Sequence, residues 1–177
     1  MARLVLLDAD VVIRAFELGI WDKLTAKHEV VLARSVFSRE VRDYRDPASG
    51  RRVQIDLGPD LDNGRLKVMD ADLRWTAEAD NVCCSRLGGL HGHGELESIA
   101  IAKHAARDAL FCTADGYAIQ AMVVIGLREQ LISMEKLLQA AGLSRKFNTR
   151  ADYQFSEAKF RKWVRLGSIR LAETEGL

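Results

Sequence analysis

Near the start of the chain, Leu4-Val5-Leu6-Leu7 runs without a polar residue and ends on Asp8. A half-buried antiparallel strand would alternate apolar with polar side chains, so an unbroken aliphatic run suits a parallel strand covered on both faces. Val11, Val12 and Ile13 then lead into a helix containing Phe16, Leu18 and Trp21. This β-then-α opening limits the chain to architectures with a parallel sheet. Two further acid-bearing segments follow in order. Gly94-Glu95-Leu96-Glu97 opens an Ala/Ile-rich helix, and Leu110-Phe111-Cys112-Thr113-Ala114-Asp115 is a second hydrophobic run that ends on an acid. In an open α/β sheet, ligands bind outside the carboxyl ends of the strands, so acids placed at those ends are expected to share one pocket.

The rest of the chain fits the same alternation. A short strand is expected at Val30-Val31-Leu32, and Ser35 as the cap of a helix whose apolar side includes Val36, Phe37 and Val41. From Ala48 to about Asp72 the character changes. Arg52 to Leu57 alternates, and Asp62-Asn63-Gly64 is a turn signal before Leu66-Lys67-Val68-Met69, which together read as an inserted hairpin or a pair of irregular strands. Leu73 to Leu87 is weakly helical. Gly88 to Gly94 reads as a loop delivering Glu95 to a helix that runs to Ala106. A buried strand over Ala109 to Thr113 and a helix over Ala118 to Val123 come next, then a short strand at Val124-Ile125 and a helix that Gly142 stops. One amphipathic helix around Glu157 to Leu166 closes the chain.

Size and composition permit one compact domain. The chain has 177 residues, 48% hydrophobic and 29% charged, with only two prolines. Its net charge of +1 excludes binding duplex DNA by overall charge, so contact with a polyanion has to come from a local patch. The C-terminal stretch supplies one in Arg145, Lys146, Arg150, Lys159, Arg161, Lys162, Arg165 and Arg170. Tyr153, Phe155, Phe160 and Trp163 interleave with these cations, a pattern that can stack the bases of single-stranded RNA, although core packing or a subunit interface is the stronger expectation for most of them. Cys83, Cys84 and Cys112 have no ligand-like spacing and read as reduced cytoplasmic thiols. No signal-like or membrane-length apolar run is expected to place the chain in or across a membrane.

Several carboxylates in one pocket repel one another, so such a site implies a shared proton or a bound cation. Magnesium or manganese suits an all-oxygen donor set, and magnesium in particular is usually shared with substrate phosphate oxygens. Glu95 and Glu97 stand about 200° apart around a helix, so only one of them faces a small pocket, and Glu95 is the candidate. Glu40 lies beside Arg39 and Arg42, where a surface ion pair explains it as well. His91 and His93 have no matching Cys or His pair and read as solvated loop residues.

Taken together, Leu6-Leu7-Asp8-Ala9-Asp10-Val11-Val12-Ile13, Val36 with Arg39-Glu40-Val41, Gly94-Glu95-Leu96-Glu97-Ser98-Ile99-Ala100-Ile101-Ala102 and Thr113-Ala114-Asp115 resemble a PIN domain. The resemblance implies a three-layer α/β/α sandwich around a mainly parallel sheet. It also implies an acidic pocket that holds Mg2+ or Mn2+ for hydrolysis of RNA phosphodiesters, with Asp8, Glu40, Glu95 and Asp115 as catalytic and metal-binding residues. By this reading residues 1–145 form the domain, with an insertion around 46–80, and residues 146–177 are a basic helical extension packed on it. A homodimer and an antitoxin or other protein partner are further expectations. Two other readings start from the same residues. Asp8-Ala9-Asp10 also resembles the nucleophile and acid pair of haloacid-dehalogenase-type phosphatases, which would make Asp8 a covalent nucleophile. A PIN-like module that binds nucleic acid or protein without cutting is the non-enzymatic alternative.

Overall fold

In the computed structural model, which describes residues 4–88, 92–148 and 150–176, the aliphatic runs become the centre of a five-stranded parallel sheet. The strands are β1 (Leu4–Leu7), β2 (Glu29–Ala33), β5 (Leu66–Met69), β6 (Leu110–Cys112) and β7 (Leu131–Ile132), in spatial order β5-β2-β1-β6-β7. Helices cover both faces, giving an α/β/α sandwich. They are α1 (Ala9–Glu17), α2 (Trp21–Thr25), α3 (Gly58–Asp62), α4 (Leu73–Leu87), α5 (His93–His104), α6 (Gly116–Val124), α7 (Met134–Ala140) and α8 (Glu157–Glu175). Val5, Leu6, Leu7, Val30, Leu32, Phe111 and Cys112 are completely buried, as strands covered on both faces must be. Among the described residues, no helix is long and apolar enough to cross a membrane. All three cysteines are free thiols.

The segment after β2 departs from the sequence expectation. Ser35 does not cap a helix: its backbone amide and hydroxyl both donate to the Glu97 carboxylate, and Val36–Glu40 forms a single π-helical turn. A small antiparallel hairpin follows, made by β3 (Asp43–Arg45) and β4 (Arg52–Gln54). Leu66–Met69, expected to belong with that hairpin, pairs instead with β2 in parallel and forms an edge of the main sheet. The turn at Asn63-Gly64 is present, but it follows the short helix α3 and so does not join two neighbouring strands.

Other differences have similar local causes. Val124, expected in a strand, is the last residue of α6, and the strand occurs later at Leu131–Ile132. Every residue from Ala118 to Val124 is buried, and a helix buried all round has no apolar stripe to distinguish it from a buried strand. Helix α5 begins at His93, so Gly94 lies within its first turn and not in the preceding loop. His91 and the side chain of His93 lie outside the described residues. The last helix runs on to Glu175, well beyond the amphipathic core expected for it.

The C-terminal segment is tied to the sandwich at two places. Helix α8 packs along α6, where Ile119, Val123 and Val164 form a second apolar cluster with Phe160 and Trp163 against it. Ahead of α8, Asp152 is almost fully buried at 1% exposure, pairs with Arg14 of α1 and accepts a hydrogen bond from the Asn148 amide at 2.8 Å. Removing one partner of a buried ion pair leaves the other charge desolvated and uncompensated, at a cost of about 3–5 kcal/mol. Arg14→Met is therefore expected to lower the melting temperature by roughly 6–20 °C, at about 2–4 °C per kcal/mol for a protein of this size. Calorimetric melts of the variant and of Arg14→Met combined with Asp152→Asn check this, since the double variant should recover part of the loss.

Candidate functional site

The sheet order places β1 and β6 side by side while the chain leaves them in opposite directions, towards β2 from one and β7 from the other. This is a topological switch point, where the loops diverge and leave a crevice at the carboxyl ends of the strands. Leu7 is in register with Cys112, and the amide of Asp8 donates to the Cys112 carbonyl at 3.1 Å. The acids that follow the two strands therefore reach the same crevice.

Hydrogen bonds fix their orientation. Asp8 caps α1, accepting from the Ala9 amide at 2.8 Å on Oδ1. Its Oδ2 accepts from the buried hydroxyl of Thr113 at 2.6 Å, and that hydroxyl in turn accepts from the Asp115 amide at 3.0 Å. One threonine thus connects the first and last acids. Asp115 caps α6 through the Ala118 amide at 2.7 Å. Both aspartates are held at helix N-termini, where backbone amides and the helix dipole favour negative charge.

The resulting pocket, about 380 Å3, is lined by Asp8, Asp10, Glu40, Glu95 and Asp115 with Ala9, Ala114 and Gln154. All four acids singled out in the sequence line it, and Glu40 reaches it from the end of the π-helical turn. A Cβ built on Gly94 would fall 2.3 Å from Glu40 Oε1, so a side chain at that position would push the Glu40 carboxylate out of its present place. Glu95 points into the pocket, whereas Glu97 turns the other way to accept from Ser35 and, at 3.4 Å, from the Ala71 amide. This is the split that helical geometry demands.

Asp10 and Gln154 join the lining without having been sequence candidates for it. Asp10 accepts from the Ala114 amide at 3.3 Å through Oδ2, while its Oδ1 is buried with no hydrogen-bond partner. The signal for Asp10 was present in the sequence, because two residues along from an N-cap still lies in the first helical turn. Gln154 carried none: it arrives because the Arg14–Asp152 pair holds the segment beside it against α1.

Crowding perturbs the buried pair. Burial is the largest influence on Asp8. Hydrogen bonds from Thr113 and Ala9 oppose it and the nearby Glu95 and Glu40 add to it, lifting the carboxyl to about 6. Asp10 is pushed further, to about 8, by burial first and then by the charge of Asp8. An orphaned buried carboxylate oxygen on Asp10, in a pocket lined by five acids, is a donor set that fits a hard divalent cation. Asp8, Asp10, Glu40, Glu95 and Asp115 would hold it. Among the described residues, no three His, Cys, Asp or Glu side chains are gathered tightly enough to form a ready-made ion cage, so the acids share a pocket without closing it.

No protein-family model matches the chain, and no curated protein has significant sequence similarity to it.

Both raised carboxyls bind protons more tightly in the folded than in the unfolded chain, whose aspartates titrate near 4. Their contribution to stability is complete below pH 4 and is lost as pH rises through about 6 and then 8. In EDTA, the wild-type melting temperature should therefore fall between pH 5 and pH 8 more steeply than that of Asp10→Asn, with the variant the more stable at pH 8. Millimolar Mg2+ or Mn2+ at pH 8 should raise the wild-type melting temperature by several degrees and that of the variant by much less, which thermal scans at the two pH values test directly.

Proposed function

We propose that the protein is a metal-dependent ribonuclease of the PIN type, hydrolysing phosphodiesters at the acidic pocket. The observation that carries the reading is the convergence of five carboxylates from four separate segments at the switch point of the sheet, with one buried carboxylate oxygen unpartnered. Structural acids are ordinarily paired with cations or satisfied by donors. Among the described residues, no lysine or arginine lines the pocket. That lining, without a described lysine, also favours a cation site over covalent phosphatase chemistry at Asp8.

Asp8, Asp10, Glu40, Glu95 and Asp115 are the residues that would hold Mg2+ or Mn2+. When bound, such an ion supplies Lewis-acid activation of a phosphoryl oxygen and acidifies an attacking water. The protein's own contribution is orientation. Thr113 fixes the spacing of the Asp8 and Asp115 segments, and Asp8, with both oxygens engaged, keeps one rotamer. Asp10, its carboxyl raised to about 8, holds a proton near neutral pH that a bound cation would displace, so the site gains a donor only when the cation is present. Gln154 offers an uncharged amide at the rim, able to donate to a phosphate or sugar oxygen without competing for the ion.

The test is cleavage of a mixed single-stranded RNA in Mg2+, Mn2+ or EDTA beside Asp8→Asn and Asp115→Asn. Asparagine caps helices as well as aspartate does, so Asp115→Asn keeps the cap while removing the charge. Metal-dependent cutting should fall by about 100-fold or more in each variant, corresponding to the loss of several kcal/mol of charge stabilisation at about 1.4 kcal/mol per tenfold. Equal cutting by the variants would remove the pocket from the mechanism, and no cutting by any form would favour a non-catalytic binding module.

A further inference from the structure

We infer that Tyr153, Lys159, Lys162 and Trp163 form a nucleobase and phosphate subsite for a single strand leading into the acidic pocket; this rests on the hydrolase reading for its direction but not for its binding chemistry. The segment is placed beside the pocket by two independent contacts. Tyr153 immediately follows Asp152, which is paired with Arg14 one helical turn beyond Asp10, and immediately precedes Gln154 in the pocket lining. On the other flank, the indole of Trp163 lies flat against the backbone of Gly116, next to Asp115. A Cβ built on Gly116 would fall 2.4 Å from the ring, so no other residue fits there without displacing it.

Between these two aromatic rings stands Lys159, its Nζ 5.7 Å from the Tyr153 centroid and 5.0 Å from that of Trp163. Lys162 Nζ lies 5.9 Å from Trp163. Neither ammonium takes part in an ion pair among the described residues, whereas Arg161 on the same helix is paired with Glu157. Tyr153 is 51% exposed, which leaves its ring open to solvent. An exposed ring beside one unneutralised ammonium, with a second indole and ammonium next along the helix, is the chemistry that takes an unstacked base on an aromatic face and the adjoining phosphate on the cations. A duplex, with its bases stacked inside, offers no ring to Tyr153. The charges fit the task the pocket cannot perform: an acid-lined pocket does not attract a polyanion, and the two lysines supply attraction for it.

The experiment is a fluorescence-anisotropy titration with a labelled ten-nucleotide oligouridylate in EDTA, which isolates binding from metal-dependent cleavage. Tyr153→Ala should weaken binding about tenfold, Tyr153→Phe should retain it, and Lys159→Gln together with Lys162→Gln should flatten the dependence of affinity on salt. Melting curves of each variant establish that it is folded. Unchanged affinity of Tyr153→Ala, or no binding of the oligonucleotide by the wild type, would overturn the subsite whatever the cleavage assay gives. Tyr153-dependent binding by a protein that hydrolyses no RNA in any metal would uphold the subsite and sink the hydrolase reading alone.

Discussion

The parallel register between β1 and β6 is the constraint on which the acidic pocket depends. With Leu7 opposite Cys112, the first residue beyond one strand bonds to the last residue of the other, and the Thr113 hydroxyl spans the remaining gap between the Asp8 carboxylate and the Asp115 amide. A slip of one residue would reverse the facing of every side chain on β6 and carry Thr113 away from Asp8. The register is held by side chains with no polar alternative, since Leu6, Leu7, Phe111 and Cys112 are wholly buried. Apolar packing several residues away thereby holds charged groups in an arrangement that their mutual repulsion opposes.

That opposition shapes the chemistry of the site. Five carboxylates around one small cavity cannot all ionise cheaply, and the sandwich holds them there with backbone amides at helix N-termini, one threonine and raised proton affinity. Such crowding costs local stability, and a bound cation supplying the missing charge would offset that cost. The C-terminal segment extends the same logic outward. A buried ion pair anchors it to α1, an indole anchors it to α6, and between those anchors it carries aromatic and cationic groups to the rim of an otherwise anionic crevice.

How far the site was legible in the sequence depended on whether a residue's position followed from its own element. Asp8 and Asp115 sit where an aliphatic run meets a helix start, and Glu95 was separable from Glu97 by helical geometry alone. Glu40 was ambiguous because its neighbours Arg39 and Arg42 offered an equally good account; only the π-helical turn and the close approach of Gly94 direct it inward. Asp10 stood out in the sequence only as the second acid of a phosphatase-like pair, because its burial beside Ala114 comes from an element distant in sequence, and Gln154 was invisible because nothing near it marks it.

The unalternated runs at Leu4–Leu7 and Leu110–Cys112 determined a parallel α/β architecture by themselves, because strands covered on both faces leave no room for a polar periodicity. The acids at the ends of those runs likewise determined that a charged crevice would form at the strands' carboxyl ends. Strand order was decided only in three dimensions: that Leu66–Met69 pairs with β2 and not with its neighbouring hairpin, and that Leu131–Ile132 and not Val124-Ile125 forms the other edge, follows from competition among surfaces far apart in the chain. The same holds for Gln154 and Tyr153, held near α1 by the pair between Arg14 and Asp152 across 138 residues, and for Trp163, held by the packing of α8 on α6. Local sequence fixes periodicity and charge, whereas which distant surfaces exclude water together is a property of the whole folded chain.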